Sequence, residues 1–347
     1  MNIFSNFDSN LKIDIMKSRF GILGLLFTML LSMSSCDKED DPAQPVEPTP
    51  PTSDAYKNLK AEADKLISST KTFNAEEGLS FTSPKGVILN LPANALKLPD
   101  GSLATGEVTL EYKEIFTRGA MLTNNRTTMG VLPEGGKALL KSGGEFFINA
   151  KQGTQELTLG GTANLQVPVG LTGVGDPEMT LWEGVLDDND NLAWNEINPD
   201  AGTNGGRVVL EGKGDTQTYY TAFSSFGWTN VDKFYSDPRD KTTLQVAVPA
   251  GYDNQNCAVY LSYDGEGNNA LANLDTYSST TKLFSEHYGQ IPVGLEMHII
   301  FATEEAGQWR YAIKAVTVAA NDTYTFTLAE TSLGTLAQVE AAINALP

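Results

Sequence analysis

Period-two alternation, broken every few residues by turn-forming residues, is the feature that most restricts what this chain can fold into. Val108, Leu110 and Tyr112 alternate with Thr109, Glu111 and Lys113, and a strand puts such alternate side chains on opposite faces. Runs of the same kind occupy 145–150, 165–169, 179–185, 207–211 and 219–223. After the breaker-rich stretch Ser236 to Asp240 the pattern resumes with Leu244, Val246 and Val248 and continues through Cys257–Tyr263. It returns at Met297, Ile299 and Phe301, at Trp309, Tyr311 and Ile313, and at Tyr324, Phe326 and Leu328. With 32 Gly and 16 Pro among 347 residues, and with pairs such as Asp100-Gly101 and Gly143-Gly144 read as turns, a helical bundle is excluded. The expectation is a mainly β protein of two β-sandwich domains, at 73–235 and 241–331, with short flanking helices.

The helices are predicted from a different period. Tyr56, Leu59, Ala63 and Leu66 recur at helical spacing behind Ser53 and Asp54, giving a short helix within 54–72. Thr335 and Gln338 form a capping box, and Leu336, Val339, Ile343 and Leu346 follow on one face, giving a terminal helix within 332–347.

Ahead of these lies a leader. Phe20 to Leu31 is the one long apolar run, shorter than the ~20 residues that span a bilayer. Lys17 and Arg19 precede it and Ser32, Ser34 and Ser35 follow, the order of a secretory signal, assigned to residues 1–35 with translation starting at Met16. The segment Leu31-Ser-Met-Ser-Ser-Cys36 resembles the lipobox of bacterial lipoproteins. That resemblance implies that Cys36 is acylated, and several acyl chains at ~0.8 kcal/mol per methylene anchor a protein without a spanning helix. An ordinary secretory cleavage beside a chance Cys is the alternative. Asp37, Lys38, Glu39, Asp40 and Asp41 resemble the surface-export signal of the bacterial phylum that includes the dominant gut anaerobes; a charge run that only extends the linker is the other reading. Residues 36–53, rich in Pro, are read as a semi-rigid spacer. The expected address is the outer membrane, lipid-anchored and surface-exposed.

Gly78-Leu-Ser-Phe-Thr-Ser-Pro-Lys-Gly-Val-Ile-Leu-Asn-Leu-Pro-Ala-Asn-Ala-Leu96, continued by Gly106-Glu-Val-Thr-Leu-Glu-Tyr112, resembles the opening of a ZU-five-type β-sandwich, as in ankyrins, netrin receptors and death-domain autoprocessing proteins. The likeness covers about the first third of the domain and implies a ZU-five-like sandwich, with an immunoglobulin-like one after it. Relatives that cut themselves do so at His-Phe-Ser; here the text is Ala222-Phe223-Ser224, without the base that would activate the hydroxyl, so an uncut chain is expected. Phe226 to Tyr235 resembles a stretch in uncharacterised surface lipoproteins, to which no activity attaches.

Chemistry is sparse. Lys and Arg number 24 against 43 Asp and Glu, a net −19 that repels phosphate backbones and excludes nucleic acid as a partner. Two histidines, His287 and His298, rule out a three-His metal site and support no triad. Cys257 has no partner once Cys36 is acylated, and its position in an alternating run reads as packing. Asp187, Asp188 and Asp190 crowd the oxygen ligands that calcium wants, but the spacing misses the EF-hand pattern; a hairpin tip is preferred. Trp228 with Asn230 and Asp232 is a candidate recognition group, against a buried Trp beside a polar turn. No cofactor is implied, and no nucleotide or hydrolase motif is present. The reading is therefore a non-enzymatic binding or assembly module facing a glycan, a host protein or a neighbouring envelope protein. The alternatives are an enzyme or accessory subunit acting on extracellular polysaccharide, and a structural envelope spacer. Mass spectrometry of the mature protein is expected to find an acylated Cys36 at its N-terminus, and Cys36→Ala to leave the protein unacylated and free of the membrane fraction.

Overall fold

Strands supply most of the regular structure, with three α-helices, in a computed structural model that describes residues 49–198 and 206–347. Cys36 and the acidic run Asp37 to Asp41 lie outside the described residues. Four large sheets organise the chain. Sheet I has eight strands: Ser68–Asn74, Glu107–Ile115, Met129–Val131, Lys137–Gln152, Gln155–Glu156, Thr180–Leu186, Leu192–Glu196 and Gly227–Phe234. Sheet II has five: Leu79–Thr82, Ile88–Leu91, Ala163–Pro168, Val208–Glu211 and Thr218–Phe223. Sheet III has four, Lys241–Ala247, Thr276–Ser278, Leu283–Pro292 and Thr323–Thr325. Sheet IV has five, Cys257–Tyr263, Ala272–Asn273, Glu296–Glu305, Gln308–Thr317 and Ser332–Gly334.

Parity decides what each face meets. Leu110, Tyr112, Phe146, Ile148, Leu181 and Val231 of sheet I share one core with Leu89, Leu165, Val167, Tyr219 and Phe223 of sheet II. Val246 and Phe284 of sheet III likewise share a core with Val259, Leu261, Met297, Ile299 and Phe301 of sheet IV. A third core joins the two pairs: Trp182, Trp194, Trp228, Ile115 and Leu140 of sheet I pack with Tyr260, Ile300, Ala302 and Trp309 of sheet IV. Sheet IV is thus buried on both faces, which is why Cys257–Tyr263 is buried at every position but Ala258. Backbone bonds reinforce the seam. Thr128 N–H donates to Leu271 O (2.9 Å) and Ser142 N–H to Asn269 O (2.9 Å), while Asn269 Nδ2 donates back to Ser142 O (2.7 Å). All of this belongs to one compact unit, Pro48–Pro347.

The structure departs from the sequence reading at four places. Helix α1 spans Ser53–Ile67 and not 54–72; from Ser68 the chain is a strand to Asn74, paired antiparallel with 107–113. The Ser-Ser-Thr-Lys-Thr text has no strong preference of its own, and an existing edge to pair with outweighs helix continuation. Gly143 and Gly144 are not a turn but a bulge inside the long strand Lys137–Gln152. Ser142 pairs with Asp232 and Glu145 with Asn230, so one extra residue is held there. Gly144 has φ +134°, and a Cβ on Gly143 would lie 2.9 Å from Val231 O, so only glycine keeps both strands in contact. At the C-terminal end, Ser332–Gly334 pairs with Trp309–Tyr311 before helix α3, Leu336–Asn344. The capping box at Thr335 and Gln338 is formed, and Val339 and Ile343 enter the third core. A further helix, Arg118–Thr123, had no periodic signal; its Arg118 is buried and donates to Ser262 Oγ (2.6 Å) and to the carbonyls of Leu346 and Pro347.

Trp309 is 1% exposed and meets Tyr56 of α1 edge-to-face at 6.2 Å. Trp309→Ala is expected to cost about 3–5 kcal/mol and to lower one transition for the whole chain, read by urea unfolding with circular dichroism and tryptophan fluorescence in parallel.

Candidate functional site

Sheet II buries one face in the first core and leaves the other to solvent. Because its strands are in register, the outward side chains form rows. Val209 pairs with Tyr220 and Tyr220 with Gln166; beside them Ala222 pairs with Asn164 and Asn164 with Asn90. Together with Arg207 they line a groove of about 400 Å³ on the sheet surface. Tyr220 is 36% exposed and Val209 42%, an aromatic face beside a methyl floor. Among the described residues, the side chains of Asn90, Asn164, Gln166 and Arg207 make no hydrogen bond. Unpaired amide donors and acceptors around an exposed ring suit a ligand rich in hydroxyls, whose C–H face covers the ring while its oxygens meet the amides. Among the described residues, no carboxylate lines the groove.

A second, more polar cleft of about 270 Å³ opens where α1, the tip at 187–191 and the loops at 254–258 and 273–275 meet. Its walls carry both signs, Lys57 and Lys60 against Asp188, Asp190 and Asp275. Asp190 is paired with Arg126 (3.1 Å) and Asp275 with Lys137 (2.6 Å). Burial lowers the Lys60 ammonium below its ordinary range, and its Nζ lies 4.9 Å over the Tyr56 ring.

The residues singled out in the sequence fall elsewhere. Trp228 is 6% exposed, and Asn230 and Asp232 are fully buried, so a ligand outside the protein does not reach them and their proposed recognition role is corrected. Asp187, Asp188 and Asp190 sit at the tip between Thr180–Leu186 and Leu192–Glu196. There Asp187 Oδ1 accepts from the N–H groups of Asn189 and Asn191 (both 2.8 Å) and Oδ2 from Asn191 Nδ2 (3.0 Å); one acid closes the turn and another is ion-paired. Among the described residues no group of three or more His, Cys, Asp or Glu comes together to hold a metal ion. His298 Nδ1 lies 2.7 Å from Asp264 Oδ1, and His287 stacks on Tyr288. Cys257 is buried, which pushes its thiol well above the ordinary range, the opposite of an activated nucleophile. Among the described residues no helix is long and apolar enough to cross a membrane.

Two buried carboxyls, Glu145 and Glu286, were not singled out in the sequence, and Asp232 was singled out only for recognition. Glu145 and Asp232 are raised well above the ordinary carboxyl range, both by burial first; for Glu145 the neighbouring Asp232 adds to the rise. Glu286, 6% exposed, is pushed up to about 7 by burial, and further by Asp275, against the N–H groups of Gly289 (3.1 Å) and Gln290 (3.2 Å) that favour its charge. The signal for Glu145 was present, as an acid next to Phe146 and Phe147; its partner across the sheet was not. No family model matches the chain, and no curated protein matches it.

A carboxyl whose folded pKa is raised gives its stability below the unfolded value and loses it as pH rises through the folded one. For Glu286 the window runs from the ordinary 4.5 to about 7. Glu286→Gln is therefore expected to be more stable than the parent at pH 8 by up to about 3 kcal/mol, with the difference vanishing below about pH 4, read by urea unfolding across pH.

Proposed function

We propose that this protein is a lipid-anchored, surface-displayed binding module that takes a neutral glycan on the outer face of sheet II. The observation that carries the reading is the groove itself: Tyr220 exposed on a regular sheet, ringed by Asn90, Asn164 and Gln166, whose side chains make no hydrogen bond among the described residues. An unpaired amide on the surface costs nothing while solvated, and it adds specificity when a hydroxyl replaces the water. A rigid sheet holds such groups at fixed spacing without the entropy cost of ordering a loop. With a net charge of −19 the long-range field disfavours polyanions, so an uncharged saccharide fits better than a sulfated one.

The anchor and display half of the reading is supported by the basic, apolar and small-residue order of the leader, by Cys36 and by the acidic residues behind it. A stalk rich in Pro would hold the sheet face away from the membrane, where polymeric glycans are reached.

Glycan-array binding followed by calorimetry tests this. The parent protein is expected to bind a neutral oligosaccharide, Tyr220→Ala to weaken it at least about fivefold, and Asn164→Ala to weaken it further without changing the unfolding midpoint. No binding across the array, or binding that Tyr220→Ala leaves unaltered, would overturn the assignment.

A further inference from the structure

Sheet I closes on itself. Lys137–Gln152 pairs with Gly227–Phe234, that strand with Thr180–Leu186, that with Leu192–Glu196, that in parallel with Met129–Val131 at Trp194 and Gly130, and Met129–Val131 returns to residues 137–139. Register places Ser142, Glu145, Asn230 and Asp232 on one face of this ring, the face that also carries Trp182 and Trp194. The glycine bulge is what brings Ser142 and Glu145 to the same side, since without the extra residue one would point into the other core.

Two carboxylates therefore share an aromatic interior with no exposure to water: Glu145 and Asp232 are both 0% exposed. Asp232 is held through one oxygen only: its Oδ2 accepts from Asn230 Nδ2 (2.5 Å) and its backbone carbonyl from Trp182 Nε1 (3.0 Å), while its Oδ1 has no partner. Ser142 Oγ donates to Asn230 Oδ1 (2.8 Å), which fixes that amide. Glu145 is different. Neither Oε1 nor Oε2 has a hydrogen-bond partner, and a buried carboxylate without donors is among the most costly groups a core can hold. Arg126 is a cation whose charge acts on Glu145; its terminal nitrogens are bonded to Asp190 and the Asn125 carbonyl, its Nε has no partner, and it makes no hydrogen bond to Glu145.

We propose that Glu145 and Asp232, with the oxygens of Ser142 and Asn230 behind them, form a buried site for one hard divalent cation inside the strand ring. Two carboxylates balance two positive charges, and the donor set is oxygen only, which selects calcium or magnesium over zinc or copper. Held there, the ion ties two neighbouring strands of the ring beside the seam, so its role is to lock the two sheet pairs together. It acts independently of the glycan groove.

Elemental analysis of the full folded chain, purified without chelator, tests this together with refolding from urea in calcium, in magnesium and in EDTA. The expected result is about one equivalent of metal per chain, retained in Asp187→Asn/Asp188→Asn and lost in Glu145→Gln, with a midpoint fall of about 5 °C or more on refolding in EDTA. Should Glu145→Gln fail to fold, metal retention in the tip variant decides the matter. Absence of metal with identical midpoints in calcium and EDTA overturns the proposal, as does loss of the metal in the tip variant or its retention in Glu145→Gln.

Discussion

Burial of one shared aromatic core between sheet I and sheet IV is the constraint on which the rest of the molecule depends. Trp182, Trp194 and Trp228 come from one side and Tyr260, Ile300 and Trp309 from the other, all at 6% exposure or less. Separating the two would return hundreds of square ångströms of apolar surface to water at about 25 cal/mol per Å², a penalty comparable with the whole stability of an ordinary domain. Helices α1 and α3 complete the same core through Tyr56, Val339 and Ile343. The breaker-rich stretch 236–240 therefore links two sheet pairs that fold as neighbours in one body, and a break in sequence pattern is not a break in packing.

Once that core is committed, the freedom left to each face differs. Sheet IV has no face to spare, and sheet I spends one on sheet II and one on the seam. The outer face of sheet II has no such obligation, and unpaired amides can be kept there at no cost to folding. Polar groups on the inner faces face the opposite economy: Asn230, Ser142 and Asn269 are each bonded, because a buried donor or acceptor left alone costs about 1–3 kcal/mol. Glu145 has both carboxyl oxygens buried without a partner, and such a group in a core asks for a compensating charge.

Much of the architecture was legible in the one-dimensional pattern. Alternation at 108–113, 165–169, 219–223 and 297–301 marked strands and their inward residues, and Thr335 with Gln338 marked the start of the last helix. What escaped had a physical reason in each case. Ser68–Asn74 is polar and half-exposed, so only the availability of a partner strand makes it β. Gly143-Gly144 reads as a turn locally, and a bulge differs from a turn only in what lies across from it. Tyr260 and Ser262 sit at positions where alternation predicts solvent, yet both are buried, because a second layer covers that face.

The candidate sites divide the same way. Composition and motif were enough to show too few histidines for a three-histidine centre and no EF-hand spacing, because residue counts and ligand spacing are properties of the chain alone. They were enough as well to mark which residues become strands, since side-chain parity is local. Which strand faces which layer was decided only in three dimensions, and with it whether Trp228 and Tyr220 would be core or surface. Both are aromatics in alternating runs; one is sealed by sheet IV and the other is not. That difference is a matter of long-range packing, which no local pattern carries.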